Sequence, residues 1–213
     1  MGAFADDIDQ AQIQWRAVMK DHANEIGVVV FPSPAKLKPH HLADARLFAD
    51  RYDYLNNLPK GKIVAEVGVW KGDFSDHILR QTRPKQLHLF DLNFSRFAVR
   101  ERFAAEAAAD GVVFHEGDAA VTMAAMPDAH FDWIYVDAGH DYASVKADAQ
   151  LGARKVKRGG LLIFNDYIFW SHTESRPYGV VQAVNELCVH DGWVVTAFCL
   201  HAGMYCDIAV MKA

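Results

Sequence analysis

The fold of this chain is decided by residues 63–72, which read Ile63-Val64-Ala65-Glu66-Val67-Gly68-Val69-Trp70-Lys71-Gly72. Four of the first five residues are apolar, with Glu66 the exception, and the run has the length of a buried strand. Two glycines follow, Gly68 and Gly72, and glycine permits the tight turn that leads from a strand into a helix. The stretch therefore predicts a β-strand, a glycine turn and a helix that begins near Asp73.

The same alternation of short apolar runs and helical stretches continues along the chain. We predict helices at 73–81, 97–109, 119–126, 142–156 and 179–189, and strands at 63–67, 86–90, 112–115, 131–136, 161–164, 193–198 and 204–211. Alternating strands and helices indicate parallel βαβ units, and continuously apolar strands are typical of a sheet buried on both faces. The last two strands have too short a connection for a helix, so they form an antiparallel hairpin. The prediction is a doubly wound α/β fold with a mostly parallel seven-stranded sheet and a C-terminal antiparallel hairpin.

Residues 1–60 depart from this pattern. Their pattern predicts a polar helix at 6–26 and, after several prolines that indicate an exposed loop, a second helix from about His41 to Leu58, in which apolar residues recur at helical spacing. We predict an N-terminal helical extension at 1–60, which forms a lid or the interface of a homodimer. The main domain is predicted at 61–213.

Composition limits the class of protein. The 213 residues are 51% hydrophobic, which suffices for one sizeable core. The net charge of −5 argues against a broad nucleic-acid or membrane-binding surface, and no apolar run approaches the length of a membrane span. The three cysteines show no C-x-x-C spacing, which argues against a disulfide framework. We expect a cytoplasmic protein that binds neither nucleic acid nor a membrane.

Acidic or amide residues stand where five of the predicted strands end. They are Glu66, Asp91, Asp118, Asp137 and the pair Asn165-Asp166. Ligands of open α/β sheets bind beyond the carboxyl ends of the strands, so these side chains should line one cleft. A single such residue is explained as a helix cap, whereas five in equivalent positions indicate a binding site.

The glycine turn indicates which cofactor the cleft binds. A dinucleotide site needs G-x-G-x-x-G so that the pyrophosphate reaches a helix N-terminus, and Trp70 stands here in place of the middle glycine. Glu66 adds a negative charge that would repel a pyrophosphate. Asp91 follows the turn by about twenty residues, where an acid commonly binds ribose hydroxyls. An acidic cleft of this kind suits S-adenosylmethionine, which carries an ammonium, a sulfonium and no phosphate.

Residues 62–213 resemble the class I S-adenosylmethionine-dependent methyltransferases. The resemblance lies in the glycine turn at 66–72, in Leu89-Phe90-Asp91 and in Glu116-Gly117-Asp118-Ala119. The stretches 136–142 and 159–167 resemble more narrowly a group of small-molecule O-methyltransferases, which includes enzymes that act on sugars. The resemblance implies a Rossmann-like methyltransferase fold. It also implies a cofactor site made of Glu66, Gly68, Trp70, Gly72, Asp91, Asp118 and Ala119.

The resemblance further implies a divalent metal site. Members of this group and the catechol-type enzymes hold the metal through an acid after the fourth strand and a pair after the fifth, which here are Asp137, Asn165 and Asp166. Oxygen ligands of this type suit Mg²⁺, which would hold the substrate hydroxyl and lower its pKa. This sequence departs from the pattern, since Asn-Asp replaces the two acids of the sugar enzymes. Without a metal, Asp137 would contact the cofactor or the substrate.

His140 is the candidate general base. It lies three residues after Asp137, where the catechol-type enzymes place a catalytic lysine, and its ordinary pKa suits proton transfer near neutral pH. The structural alternative is that His140 packs against Tyr142 or bonds the backbone. We therefore assign His140 and Asp137 as candidate catalytic residues.

These observations lead to one expected function and two alternatives. The expected function is transfer of a methyl group to a hydroxyl of a small molecule, such as a sugar or a vicinal diol, with Mg²⁺ assistance. The first alternative is a nucleotide-dependent oxidoreductase on a similar fold. The second is a cofactor-binding partner protein without catalysis.

Overall fold

The computed structural model divides the chain into two compact units, residues 1–33 and 34–213. The structure describes residues 34–212 and, within the first unit, Gln10, Ala11, Ile13, Gln14 and Ala17, all of which are helical. The rest of the predicted 6–26 helix lies outside the described residues. The account below concerns 34–212.

The principal sheet has eight strands. Their bounds are β1 Arg46–Phe48, β2 Ile63–Val67, β3 Gln86–Asp91, β4 Val112–Glu116, β5 Phe131–Val136, β6 Val156–Phe164, β9 Trp193–Cys199 and β10 Asp207–Lys212. The short strands β7 (Trp170–Ser171) and β8 (Arg176–Pro177) pair with each other to form a separate small hairpin.

The strand order is β1-β9-β10-β6-β5-β2-β3-β4. Neighbours from β6 to β4 are parallel, whereas β10 runs antiparallel to both β6 and β9. The predicted doubly wound, mostly parallel sheet with its C-terminal antiparallel hairpin is therefore confirmed. The eighth strand is β1, which pairs in parallel with β9 at the edge of the sheet.

The described α-helices lie between the strands. Their bounds are α1 Arg51–Asn57, α2 Asp73–Thr82, α3 Val99–Arg102, α4 Ala104–Ala108, α5 Ala119–Thr122, α6 Tyr142–Lys155 and α7 Val180–Asp191. A 3-10 turn at Pro39–Leu42 precedes β1. None of the helices in this part of the chain is both long and apolar enough to cross a bilayer.

The predicted continuous helix from His41 to Leu58 is wrong. The Asp50 side chain accepts a hydrogen bond from the backbone N–H of Asp53, so the helix begins only at Arg51. The residues before it form β1, because their backbone pairs with β9, more than 140 residues further along the chain. The role of residues 1–60 as a lid or a dimer interface stays a prediction.

Alternate residues of the strands pack on opposite faces of the sheet. Val67, Ile134 and Leu162 contribute to the core cluster on one face, and Val64, Trp133 and Ile163 contribute to the cluster on the other. Because both faces carry apolar clusters, the central strands read as continuous apolar runs. This packing fixes the direction of each side chain at the strand ends, where the site lies.

Candidate functional site

The carboxyl ends of β2, β3, β4 and β5 form one pocket with a volume of about 800 Å³. Six of the residues selected from the sequence line it: Gly68, Trp70, Asp91, Asp118, Ala119 and Asp137. The parallel order of the four strands brings these residues together, as the strand-end argument expects. That they bind the cofactor stays a prediction.

Gly68 allows the glycine turn to approach β5 closely. Its φ is +86°, and a Cβ at this position would lie 2.6 Å from the carbonyl carbon of Asp137 and closer still to the carbonyl oxygen. The backbone N–H of Asp137 donates to the carbonyl of Val67 at 2.8 Å. Only glycine fits here, because the neighbouring atoms are backbone and cannot rotate away.

Asp91 holds the glycine turn in place. One carboxylate oxygen accepts hydrogen bonds from the backbone N–H groups of Val69 (2.8 Å) and Trp70 (3.0 Å), and the other accepts from Asn93 (3.1 Å). The Trp70 side chain is 64% exposed and makes an edge contact with the Phe97 ring, which also lines the pocket. Asp91 therefore shapes the pocket and presents its carboxylate to it.

Glu66 and Gly72 lie outside the residues that line this pocket. Glu66 is buried and accepts a hydrogen bond from the Ser75 hydroxyl, and burial raises the pKa of its carboxyl well above the usual value. The carboxyl thus adds no exposed negative charge to the pocket, and the argument from Glu66 against a dinucleotide is wrong. Gly72 instead makes room for Phe103, whose ring would lie 2.7 Å from an added Cβ.

The far end of the pocket contains Asp148, an acidic residue for which the sequence analysis proposed no role. Asp118 caps α5 through the backbone N–H of Ala120 at 2.8 Å. Asp148, on the face of α6 that lines the pocket, is half-buried; burial first, and then the charges of Asp118 and Asp141, raise its pKa to about 6. Asp148 lies one helical turn after Ser144, another lining residue, and this spacing was the available signal.

Asp137, His140 and Asp166 form a second cluster next to the pocket. The His140 Nε2 atom lies 3.7 Å from Asp137 Oδ1 and 3.5 Å from Asp166 Oδ2, and it has no hydrogen-bond partner among the described residues. Burial raises the pKa of both carboxyls and lowers the pKa of His140. The His140 ring stacks on Tyr178 with centroids 4.4 Å apart, so the expected packing against Tyr142 is replaced by another tyrosine.

The structure does not support a metal site at the predicted ligands Asp137, Asn165 and Asp166. Asn165 turns its amide nitrogen towards Asp137 and donates a hydrogen bond to Oδ1 at 2.8 Å. A metal ligand must instead present its amide oxygen to the ion beside the carboxylate. No three His, Cys, Asp or Glu side chains within the described part of the chain are arranged to hold a metal ion.

A half-buried arginine, Arg51, lies beside this cluster, and the sequence analysis missed it. Arg51 on α1 donates to the Tyr135 hydroxyl at 3.0 Å, and its Nε lies 3.6 Å from Asp207 Oδ2. The Tyr135 hydroxyl lies 2.7 Å from the same Asp207 oxygen. Neither Arg51 nor Asp207 stands in a recognisable motif, so the sequence offered no signal for the contact.

Comparisons with known proteins agree with this architecture. Residues 65–167 match the family model described as a methyltransferase domain. A search of the curated proteins finds no match. The predicted resemblance to the class I methyltransferases is therefore confirmed for the domain that contains the pocket.

Solved structures share the fold at low sequence identity. An O-methyltransferase family protein from Burkholderia thailandensis is 16% identical, with 76% of this chain and 55% of that chain covered and a TM-score of 0.58. The cofactor-bound Rv0187 from MTB is 18% identical, with 76% of this chain and 79% of that chain covered and a TM-score of 0.61. The tRNA methyltransferase TrmK from B. subtilis is 13% identical, with 78% of this chain and 66% of that chain covered and a TM-score of 0.57.

The family match at residues 65–167 and the shared fold agree on one class, that of the class I methyltransferases. It spans about half of the length of some matched structures, including 55% of the pyocyanin biosynthetic protein PhzM. The matched proteins act on chemically different substrates by their names, so the acceptor must be argued from the site itself.

Proposed function

We propose that this protein transfers a methyl group from S-adenosylmethionine to a hydroxyl of a small molecule, such as a sugar or a vicinal diol. The observation that carries the proposal is the junction at Asp137. This residue lines the pocket that Gly68 and Asp91 shape, and it also lies 3.7 Å from the candidate base His140. A cofactor in the pocket would therefore bring its methyl group close to a proton acceptor.

The pocket suits S-adenosylmethionine in size and in charge. Its volume of about 800 Å³ lies within the range of roughly 300–1,000 Å³ that is common for small-molecule sites. Asp91 and Asp118 place carboxylates along its wall, which favours a ligand that carries an ammonium and a sulfonium. Because Trp70 replaces the middle glycine of a dinucleotide fingerprint, the alternative of an oxidoreductase is less well supported.

His140 is the candidate acceptor of the hydroxyl proton. Burial lowers its pKa, so the imidazole is neutral near pH 7 and its unpartnered Nε2 can take a proton. The substrate oxygen would form a bond to the methyl carbon while the carbon–sulfur bond breaks. S-adenosylhomocysteine leaves, and the proton passes to Nε2, where Asp137 and Asp166 stabilise the imidazolium.

Mg²⁺ assistance, which the family resemblance implies, is not part of this proposal. The donor set does not suit the ion, because the Asn165 amide nitrogen faces Asp137. Positioning of the hydroxyl against the methyl group and proton transfer to His140 are the contributions that these residues can make.

The test is methyl transfer from radiolabelled S-adenosylmethionine to a panel of sugars, vicinal diols and catechols. We expect turnover of at least one acceptor, and we expect His140→Asn to lower kcat by about 10²–10⁴-fold, the usual contribution of a general base. Binding of S-adenosylhomocysteine should change little in this variant. His190→Asn, at an exposed position, is the matched control.

Two results would contradict the proposal. Undiminished turnover by His140→Asn would exclude His140 as the base. Cofactor binding without turnover of any hydroxyl acceptor would instead favour a partner protein without catalysis. A fluorescence titration with NADH separates the oxidoreductase alternative, which requires NADH to bind.

A further inference from the structure

Asp148 contributes a carboxylate to the wall of the cofactor pocket. The other three acids that line the pocket each accept a hydrogen bond within the protein: Asp91 from the glycine turn, Asp118 from α5 and Asp137 from an amide. Asp148 makes no hydrogen bond or ion pair with any described residue. Among the described residues that line the pocket, it is therefore the acid whose whole hydrogen-bonding capacity is left for a ligand.

The position of Asp148 favours a ligand that donates an N–H group. Its side chain is half-buried, and a carboxylate that is withdrawn from water without a donor is unfavourable. Burial, followed by the charges of Asp118 and Asp141, raises its pKa to about 6, so the group is ionised at pH 8 and can only accept. A donor on the ligand would remove the penalty of this burial.

Small apolar side chains form the rest of this end of the pocket. They are Ala119 and Ala120 on α5 and Ala143 and Ala147 on α6, and we call this region the alanine-lined end. Methyl groups on both sides suit the two faces of a planar aromatic ring, because they offer apolar contact without side-chain charge. A ring that lies between them would meet Asp148 with its edge.

The position of the sulfur decides which donor of the cofactor reaches Asp148. Under the proposed function the sulfonium lies near Asp137, directly after β5. Asp148 lies six residues after Tyr142, the first residue of α6, and thus about 9 Å further along the helix axis. The cofactor's ammonium is only three carbons from the sulfur, whereas the 6-amino group of adenine lies at the opposite end of the nucleoside. The adenine amine is therefore the donor whose reach fits.

We propose that Asp148 recognises the base of the cofactor: its carboxylate accepts a hydrogen bond from the 6-amino group of an adenine held in the alanine-lined end. Asp148 is a specificity-determining residue, because a 6-oxo purine would bring an oxygen against the same carboxylate and leave both acceptors without a donor. The inference rests on the proposed function for the cofactor and adds the residue that selects adenosine.

The test is calorimetric titration at pH 8 with S-adenosylhomocysteine and with S-inosylhomocysteine, in which a 6-oxo group replaces the 6-amino group. We expect wild type to bind the adenosyl ligand at least about tenfold more tightly. In Asp148→Ala this preference should fall towards one, through loss of affinity for the adenosyl ligand. Asp148→Asn can turn its amide to serve either base, so it should lose the preference and retain more affinity than Asp148→Ala.

Asp191→Asn, at the exposed end of α7, is the matched control and should keep the preference of wild type. Equal binding of the two ligands by wild type would overturn the proposal, as would an unchanged preference in Asp148→Ala. If Asp148→Ala does not fold, as judged by circular dichroism, an unchanged preference in Asp148→Asn has the same meaning. Wild type that binds neither ligand would instead overturn the proposed function, and the inference with it.

Discussion

The substitution Gly68→Ala tests how the glycine turn meets β5. An added Cβ would lie 2.6 Å from the Asp137 carbonyl carbon and 2.9 Å from Ala138 Cα, where ordinary van der Waals contact begins near 3.4 Å. Both neighbours are backbone atoms, so the turn must move by the order of an ångström. We therefore expect Gly68→Ala to destabilise the fold and to open the cofactor pocket.

The cost follows from two terms. A non-glycine residue in the left-handed region costs about 1–2 kcal/mol, and an overpacked contact costs about 1–3 kcal/mol. The sum is about 2–5 kcal/mol, and each kcal/mol lowers the Tm of a chain of this size by roughly 2–4 °C. Displacement of the turn should also weaken S-adenosylhomocysteine binding by about tenfold or more, since misplacement of an ångström has large effects on a preorganised site.

Gly61→Ala is the matched control. Gly61 also has a positive φ, +69°, but nothing lies within 4 Å of the added Cβ. Its expected cost is the backbone term alone, about 1–2 kcal/mol. Thermal unfolding and calorimetry should show a larger loss of stability and a selective loss of affinity for Gly68→Ala. Equal effects of the two substitutions would refute the close approach of the turn to β5.

Three further predictions concern single groups. Asp91→Ala removes the carboxylate that accepts hydrogen bonds from the backbone N–H groups of Val69 and Trp70. Calorimetry should show an affinity for S-adenosylhomocysteine that is at least about tenfold lower, a loss of about 1.4 kcal/mol in binding free energy. Unchanged affinity would contradict the role of Asp91. Ser75→Ala leaves the buried Glu66 carboxyl without its partner and should cost about 1–3 kcal/mol in urea unfolding, whereas a cost near zero would argue against that bond. Burial, followed by the charges of two neighbouring histidines, lowers the pKa of His88 from 6.5 to about 4, so the unfolded state takes up a proton first as the pH falls. As the pH falls from 6.5 to 4, the free energy of unfolding should therefore decrease by about 3 kcal/mol. Urea unfolding at several pH values should show a smaller decrease for His88→Gln than for wild type. Identical pH profiles of the two proteins would exclude His88 as the cause.

Most of the fold was predictable because the central strands are buried on both faces. Residues 63–67 and 131–136 are apolar runs that each contain one acidic residue, and the structure places strands with those same bounds. The prediction of one helix over 41–58 was wrong. Only the residues after Asp50 form a helix, whereas residues 46–48 form β1, which depends on pairing with β9. Local sequence carries no signal for a partner so distant in the chain.

The candidate site was predictable where residues follow directly from strand ends, as Asp91 and Asp137 do. Glu66 was assigned to the cleft although strand periodicity places it on the same face as Val64, which packs in the core. Arg51 and Asp207 could not be found, since they meet only when α1 and β10 pack against the central strands. The site residues that the sequence missed are those that depend on tertiary contacts.

The central claim is that the pocket at Gly68, Asp91 and Asp118 binds S-adenosylmethionine. Calorimetric titration of the wild-type protein with S-adenosylhomocysteine tests it most directly, since this product lacks the reactive methyl group and cannot turn over. We expect one binding site per chain for this ligand and no binding of NADH at the same concentration. Absence of binding by S-adenosylhomocysteine, or tighter binding of NADH, would contradict the account.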